Sequence, residues 1–420
     1  MNDNKLKKGI TWNLVSYIFL GIFSVCSYYL ITWRYGDAAL GSYNIVLSVF
    51  MLSGHLGVFG LQSAALYFIP KQNGDLKQLG CCFSSFLLII LIAGTLVSVS
   101  IYLSANFIGG VIFASDGVET GLKVIMPAII LFSVNKFFAG YLNGLGCMKE
   151  FALLQMGRYF FIVSSIAFSI VMDFPFYSIF HSFNCAELGV FLLGIFFLSS
   201  KVKFVLPKFE QVYLGIVFGG KAMLGNVISD INTRIDIMML GALCNDSIVG
   251  TYSFISMIVE GVISILFVFR NNYNPYFSNL LYLKKERELN MLFCKMKCKV
   301  RILFAAMEMV IVLGYTIMCL LFLDKSYLLS IPALIIVLVG CFIMSPYFVA
   351  GNLCTLSGRP TLDTGITVVT IFSNIILNYS LIQKYQIMGA AVATGISFVI
   401  FSLLLILMLR KYIWNEKETE

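Results

Sequence analysis

The sequence predicts an all-α polytopic membrane protein with about twelve transmembrane helices. Hydrophobic residues make up 59% of its 420 residues and charged residues 12%, whereas soluble domains average roughly 45–50% and 25%. Apolar stretches of span length recur from Ile10 to Leu409, and about 20 helical residues cross the ~30 Å hydrocarbon core. Only short polar connections separate these stretches, so the sequence places its function inside the bilayer.

The apolar stretches predict the spans in chain order. The first is longer than a signal-peptide core and no small-residue cleavage site follows it, so we expect it to be retained. The predicted spans are 10–33, 40–62, 79–104, 119–141, 151–172, 176–199, 213–240, 252–275, 301–323, 328–350, 361–382 and 387–409. The stretch from 276 to 300 is then the longest non-membrane segment.

The distribution of basic residues predicts the orientation. An even number of spans puts both termini on one side, and most of the 29 Lys and Arg fall in segments on that side. The segments on the opposite side carry only Arg34, Lys325 and Lys384. Because cytoplasmic loops are enriched in Lys and Arg, we expect both termini to be cytoplasmic and the protein to lie in the cell inner (plasma) membrane.

Two short motifs recur in the second half of the chain. Gly-Ser-Tyr at 41–43 returns as Gly-Thr-Tyr at 250–252, and the turn at 144–149 corresponds to the turn at 355–360. Both matches lie about 210 residues apart, which indicates an internal duplication. We therefore predict two parallel six-helix lobes, 1–205 and 206–420, around a central cleft.

Three segments carry a resemblance to a known family: 234–252, the N-terminal Lys-Gly-Ile-Thr-Trp-Asn at 8–13, and Leu-Ser-Gly-Arg at 356–359. The chain resembles the polysaccharide transport family of O-antigen and capsule repeat-unit flippases, within the multidrug/oligosaccharidyl-lipid/polysaccharide exporter superfamily. The resemblance implies transport of a polyprenyl-diphosphate-linked oligosaccharide, such as an undecaprenyl diphosphate intermediate of lipopolysaccharide biosynthesis, from the cytoplasmic to the periplasmic leaflet by alternating access. It also implies partnership with a polysaccharide polymerase and a chain-length regulator.

Basic residues inside the spans are the predicted substrate-binding groups. Charges at membrane depth are costly and are therefore functional candidates by default, and Arg and Lys suit the diphosphate of a lipid-linked sugar. The candidates are Arg158, Lys221, Lys136, Arg270 and Arg234. The alternative is that these long side chains reach the headgroups, and this is the favoured interpretation for Lys123.

Acidic residues inside the spans are candidates for ion pairing or for ion coupling. Asp230 and Arg234 are four residues apart and share a helix face, with Asp236 two residues further on. An internal ion pair and a direct transport role both stay open for these residues. Glu260 and Glu308 lack a basic neighbour on their own helix. We expect no cofactor, but coupling to a proton or sodium gradient is compatible with these acids.

Other classes of protein fit the sequence less well. The eleven cysteines are scattered and the two histidines lie far from the cysteine pairs, so we assign no metal site. No phosphate-binding loop or nucleophile motif occurs, and we expect a transporter rather than an enzyme such as a membrane polysaccharide polymerase. Nucleic-acid binding is not expected. A lipid II flippase and an ion-coupled drug exporter stay open as alternatives.

Overall fold

The computed structural model describes residues 3–72, 75–203, 205–323 and 325–412. Within these ranges, the side chains of 3–11, 13, 14, 71, 229, 230, 232, 325, 326, 360 and 412 lie outside the description. The described part of the chain is almost entirely helical and contains no strand. The predicted all-α class is therefore confirmed.

The helices of the first half are α1 Asp3–Tyr35, α2 Asp37–Gly57, α3 Leu61–Phe68, α4 Leu76–Asn106, α5 Asp116–Val124, α6 Met126–Gly144, α7 Met148–Val171 and α8 His181–Ser199. Those of the second half are α9 Phe209–Leu243, α10 Asp246–Tyr282, α11 Glu286–Leu321, α12 Ile331–Val349, α13 Leu353–Leu356 and α14 Pro360–Tyr412. Polar caps fix several starts: Asp75, Ser115 and Asn245 accept hydrogen bonds from backbone N–H groups of the first turns of α4, α5 and α10. Such caps satisfy donors that have no partner within the helix.

The membrane spans match the prediction. Ten helical segments of the described chain are long and apolar enough to cross a membrane, and the pair α5 and α6, bent by 57°, gives an eleventh. The twelfth follows from α14, which spans 53 residues but is broken at Gln386. Its two parts correspond to the predicted spans 361–382 and 387–409.

The chain forms two compact units, Met1–Arg234 and Ile235–Glu420. Buried aromatic side chains such as Phe86, Phe137 and Tyr141 fill the core of the first unit. In the second unit, α12 and α14 approach so closely that a Cβ on Gly340 would lie 2.7 Å from the Gly395 Cα atom. The lobe boundary at 205/206 stays a prediction.

The segment from 276 to 300 differs from the predicted loop. The α10 helix continues to Tyr282 and α11 begins at Glu286, so only three residues connect the two helices. Lys, Glu and Arg are good helix formers, and the charges that end the apolar stretch do not end the helices.

Candidate functional site

A buried ion pair joins α7 and α8 in the first unit. Arg158 Nε donates to Glu187 Oε1 over 2.6 Å, and Arg158 Nη2 donates to Glu187 Oε2 over 3.2 Å. The two side chains are 15% and 2% exposed. Asn135 of α6 donates from Nδ2 to Glu187 Oε2 and to the Glu187 carbonyl oxygen, both over 2.8 Å. The guanidinium neutralises the carboxylate, and the Asn135 amide helps to hold it in place.

Two cations share one aromatic ring beside this pair. The Phe132 ring centroid lies 5.3 Å from Lys136 Nζ and 4.8 Å from Arg158 Cζ, within the range of a cation–π contact. Lys136 Nζ also contacts Nε2 of His55 on α2. Gly54 makes room for the ring, since a Cβ there would lie 2.0 Å from Phe132. We call His55, Phe132, Asn135, Lys136, Arg158 and Glu187 the N-terminal cluster.

A second polar cluster surrounds Asp236 in the second unit. Asp236 Oδ1 accepts a hydrogen bond from Asn378 Nδ2 over 2.6 Å. Its Oδ2 accepts from Thr394 Oγ1 over 2.6 Å and from the Tyr252 hydroxyl over 3.4 Å. Asn378 Nδ2 also donates to Asn374 Oδ1 over 2.9 Å. We call these five residues the C-terminal cluster.

The local sequence explains why these groups meet. Asn374 and Asn378 are four residues apart and lie on one face of the first part of α14, and Thr394 follows the break at Gln386. Both parts of α14 therefore contribute to the cluster, while α9 and α10 supply Asp236 and Tyr252.

The C-terminal cluster has the chemistry of a small-cation or proton site. It places two hydroxyls and an amide N–H around one carboxylate, and the carboxylate and hydroxyl oxygens are ligands that suit hard cations. Among the described residues, Asp236 has no basic partner within salt-bridge distance, and Asn378 Oδ1 is buried without a hydrogen bond. A site whose one negative charge is the Asp236 carboxylate fits a monovalent cation better than a divalent one. The described residues contain no group of three His, Cys, Asp or Glu arranged for a metal.

The other predicted basic residues occupy different surroundings. Lys221 is exposed on α9, and Arg234 is half-buried and makes further interactions. Arg270 lies against two rings, 4.2 Å from the Phe267 centroid and 4.8 Å from that of Phe348. Lys123 pairs with Glu119 one turn earlier, over 2.7 Å.

The remaining predicted acids lie outside the two clusters. Glu308 is 9% exposed, and its Oε1 is buried without a hydrogen-bond partner among the described residues. Glu260 is half-buried and makes further interactions. The Asp230 side chain lies outside the described residues, and with it the predicted pair with Arg234.

A comparison with known protein families identifies the family of this chain. The family model described as polysaccharide biosynthesis protein matches residues 6–281, which is more than half of the chain. The chain belongs to this family. The family recognised in the sequence is thereby confirmed.

Two curated relatives match this chain over nearly its whole length. An uncharacterized membrane protein of Methanocaldococcus jannaschii is 22% identical, with 98% of this chain and 85% of the relative covered. A Shigella flexneri protein named as a candidate O-antigen transporter is 21% identical, with 95% and 96% covered.

Solved structures share the fold of this chain. An inward-facing multidrug resistance transporter of the MATE family, in the MOP superfamily, superposes with a TM-score of 0.79 at 13% identity, covering 98% of this chain and 99% of the other. The lipid II flippase MurJ in an inward closed conformation gives a TM-score of 0.76 at 17% identity, covering 96% and 87%. The chain is therefore a multi-pass membrane protein whose fold is that of transporters in this superfamily.

Sequence reasoning identified three charged members of the two clusters and missed Glu187 and the neutral partners. Asp236, Arg158 and Lys136 stand out as charges in apolar spans, whereas Glu187, in the middle of the predicted span 176–199, is not among the predicted site residues. Asn374 and Asn378 carry a usable signal, since two amides four residues apart interrupt an apolar span. Tyr252 ends the repeated Gly-Thr-Tyr motif at 250–252, whereas no sequence signal singles out Thr394.

Proposed function

We propose that this chain is a flippase. It moves a polyprenyl-diphosphate-linked oligosaccharide repeat unit, of the O-antigen or capsule type, from the cytoplasmic to the periplasmic leaflet of the inner membrane by alternating access. The observation that carries this proposal is the family match over 6–281. The fold of the MOP superfamily and the name of the Shigella relative support it.

The substrate's diphosphate requires cations, and the two units offer different ones. Lys221 is exposed and has no carboxylate partner within salt-bridge distance among the described residues, so its ammonium is available to a phosphate oxygen. The Arg270 guanidinium stacks on Phe267 and Phe348, which orients its N–H edge, and its Nε has no partner among the described residues. We propose these two residues as the leading phosphate-binding groups.

Arg158, Lys136 and Arg234 complete the proposed substrate-binding set. Arg158 already makes two hydrogen bonds to Glu187. A diphosphate oxygen therefore binds the three N–H donors of Arg158 that remain, or replaces that carboxylate.

The proposed driving force is a sodium or proton gradient acting at the C-terminal cluster. Asp236 is the one charged group there, and the hydroxyl oxygens of Thr394 and Tyr252 lie beside its carboxylate, where they would bind a cation in place of water. Glu308 and Glu260 are the alternative coupling acids. A polymerase and a chain-length regulator are the proposed protein partners.

The experiment that tests the flippase assigns the leaflet of the lipid-linked repeat. A deletion strain is complemented with wild type, Lys221→Ala, Arg270→Ala or the matched control Lys208→Ala, whose lysine is also exposed. Repeats are labelled in spheroplasts with an impermeant reagent that reacts with sugars of the outer leaflet.

The expected result is that deletion leaves single repeats protected on the cytoplasmic side. Wild type and Lys208→Ala restore their labelling, and Lys221→Ala and Arg270→Ala do not at equal expression. Labelled but unpolymerised repeats in the deletion strain would instead assign the chain to polymerisation and overturn the proposal.

A further inference from the structure

Arg270 of α10 lies at the edge of the hydrocarbon in the second unit. Every exposed residue of α11 from 302 to 321 is apolar or glycine, as suits a face toward membrane lipids, and this stretch extends about 30 Å, the thickness of the core. Phe304, near one end of the stretch, contacts Phe269 of α10, with 6.1 Å between the ring centroids. Arg270 follows Phe269 and is half-buried. Its charge therefore lies where charged groups require a partner.

Two aromatic rings position the Arg270 guanidinium without neutralising it. Its Cζ atom lies 4.2 Å from the ring centroid of Phe267, one turn earlier on α10, and 4.8 Å from that of Phe348 on α12. Such rings attract a cation but carry no formal negative charge. Arg270 Nε is buried without a hydrogen bond among the described residues. The rings thus orient the guanidinium and leave its Nε–H to bind an anion.

The Asp363 carboxylate of α14 attracts this guanidinium from a distance. The two charges interact electrostatically, yet among the described ion pairs none joins them within salt-bridge distance. The short helix α13 packs against both α10 and α14, which explains how residues so far apart in the chain come close together. Asp363 is therefore a counter-charge of Arg270 that does not occupy its N–H groups.

The turn that precedes α14 anchors one oxygen of Asp363. Asp363 Oδ2 accepts a hydrogen bond from the Thr355 backbone N–H over 2.8 Å and another from the Thr355 hydroxyl. These bonds close the loop that contains the Leu-Ser-Gly-Arg motif at 356–359, where Gly358 has φ of 84°, a conformation that glycine adopts easily. The other oxygen, Oδ1, is buried without a hydrogen bond among the described residues.

This arrangement suits an arginine that binds a ligand. A direct ion pair, such as that of Arg158 with Glu187, uses N–H groups of the guanidinium. A cation at membrane depth with no counter-charge would be costly. An anchored carboxylate at longer range lowers that cost and leaves the N–H groups of Arg270 open to an anion.

We propose that Asp363 is the resident counter-charge of Arg270 and competes with the substrate's diphosphate for this guanidinium. Binding of a phosphate oxygen draws the guanidinium away from Asp363, so the attraction that is lost lowers the affinity and favours release of the substrate. Asp363 acts through Arg270 and does not touch the substrate. The inference rests on the phosphate-binding role proposed above for Arg270.

The test measures binding of farnesyl diphosphate to the purified chain in detergent, by native mass spectrometry. Wild type is compared with Asp363→Asn and Asp363→Ser, which remove the charge and keep an oxygen for the Thr355 N–H, and with Asp363→Glu, which keeps the charge. Arg270→Ala is measured alone and combined with Asp363→Asn. The matched control is Glu288→Gln, which removes an acid that pairs with Lys285 between α10 and α11.

We expect Asp363→Asn and Asp363→Ser to bind farnesyl diphosphate about tenfold more tightly than wild type, as the loss of one charge interaction at this range implies. Asp363→Glu and Glu288→Gln are not expected to tighten binding. In the Arg270→Ala background, Asp363→Asn should change binding by less than about twofold.

Unchanged or weaker binding by both neutral variants would show that Asp363 is only a structural residue and would overturn the inference. An equal gain without Arg270 would overturn it too, because Asp363 would then repel the anion directly. Wild type that binds no farnesyl diphosphate would exclude a phosphate at Arg270 and end the inference, whatever the leaflet experiment shows. Conversely, repeats that reach the outer leaflet in the deletion strain would overturn the flippase proposal, whereas tighter binding by Asp363→Asn would still identify the counter-charge.

Discussion

The carboxylate of Glu187 is held by the guanidinium of Arg158 through two hydrogen bonds inside the first unit. Both side chains are largely shielded from water, where attraction between charges is stronger than at a surface. Removing one partner leaves the other charge buried without compensation, which is far more costly than losing an exposed pair.

We predict that Glu187→Gln destabilises the fold by about 3 kcal/mol or more, the usual cost of breaking a buried pair from one side. Glutamine keeps the size of the side chain and one hydrogen-bond acceptor, so the loss of stability measures the contribution of the charge. Thermal unfolding in detergent measures it.

The control is Glu150→Gln, which breaks a pair with Lys201 whose side chains are 26% and 27% exposed. Exposed pairs contribute about 1 kcal/mol at most. An equal loss in both variants would contradict the structural role of the buried pair.

Asp236 provides the second prediction, since it is the only charged member of the C-terminal cluster. Sodium that binds only the folded state raises stability by about 2.7 kcal/mol at 100 times its dissociation constant. We expect sodium chloride, compared with choline chloride, to raise the unfolding temperature of wild type but not of Asp236→Asn.

Glu308→Gln separates Asp236 from one of the two alternative coupling acids in the same measurement. If Asp236 holds the ion, Glu308→Gln keeps the full sodium response. A sodium response retained by Asp236→Asn and lost by Glu308→Gln would move the site to α11. Stabilisation of wild type that follows pH and ignores sodium would assign the coupling to protons.

The spans could be predicted from sequence because each is a continuous apolar run whose length the bilayer fixes. The polar clusters could be predicted only through their charges. The pairing of Arg158 with Glu187, 29 residues away, depends on how α7 and α8 pack, and Asn374, Asn378 and Thr394 are neutral residues that helices tolerate. The length of α10 and α11 was missed because a charged segment outside the membrane is helical as readily as it is a loop.

Close packing of α12 on α14 gives the third prediction. A Cβ on Gly340 would lie 2.7 Å from the Gly395 Cα atom, and backbone cannot move aside as a flexible side chain can. We expect Gly340→Ala to destabilise the second unit by about 1–3 kcal/mol.

The matched control is Gly314→Ala in α11, where an added Cβ meets nothing within 4 Å. There the substitution is expected to be neutral or to stabilise by up to about 1 kcal/mol, since alanine favours the helix. Thermal unfolding of both variants in the same detergent measures these changes in stability. An unchanged stability of Gly340→Ala would show that the two helices lie further apart.

The break in α14 gives the last prediction. Gln386 has φ of 48° and ψ of −120°, a conformation that glycine adopts easily and residues with a side chain adopt at a cost of about 1–3 kcal/mol. We expect Gln386→Gly to raise the unfolding temperature, because it relieves this cost at the turn between the last two spans. Gln383→Gly, three residues earlier in regular helix, should lower stability by about 0.5–1 kcal/mol. Opposite signs for these two glycine substitutions place the turn at Gln386. A decrease in both would mean that the helix continues through this position, in which case the chain would not turn back there to form its twelfth span.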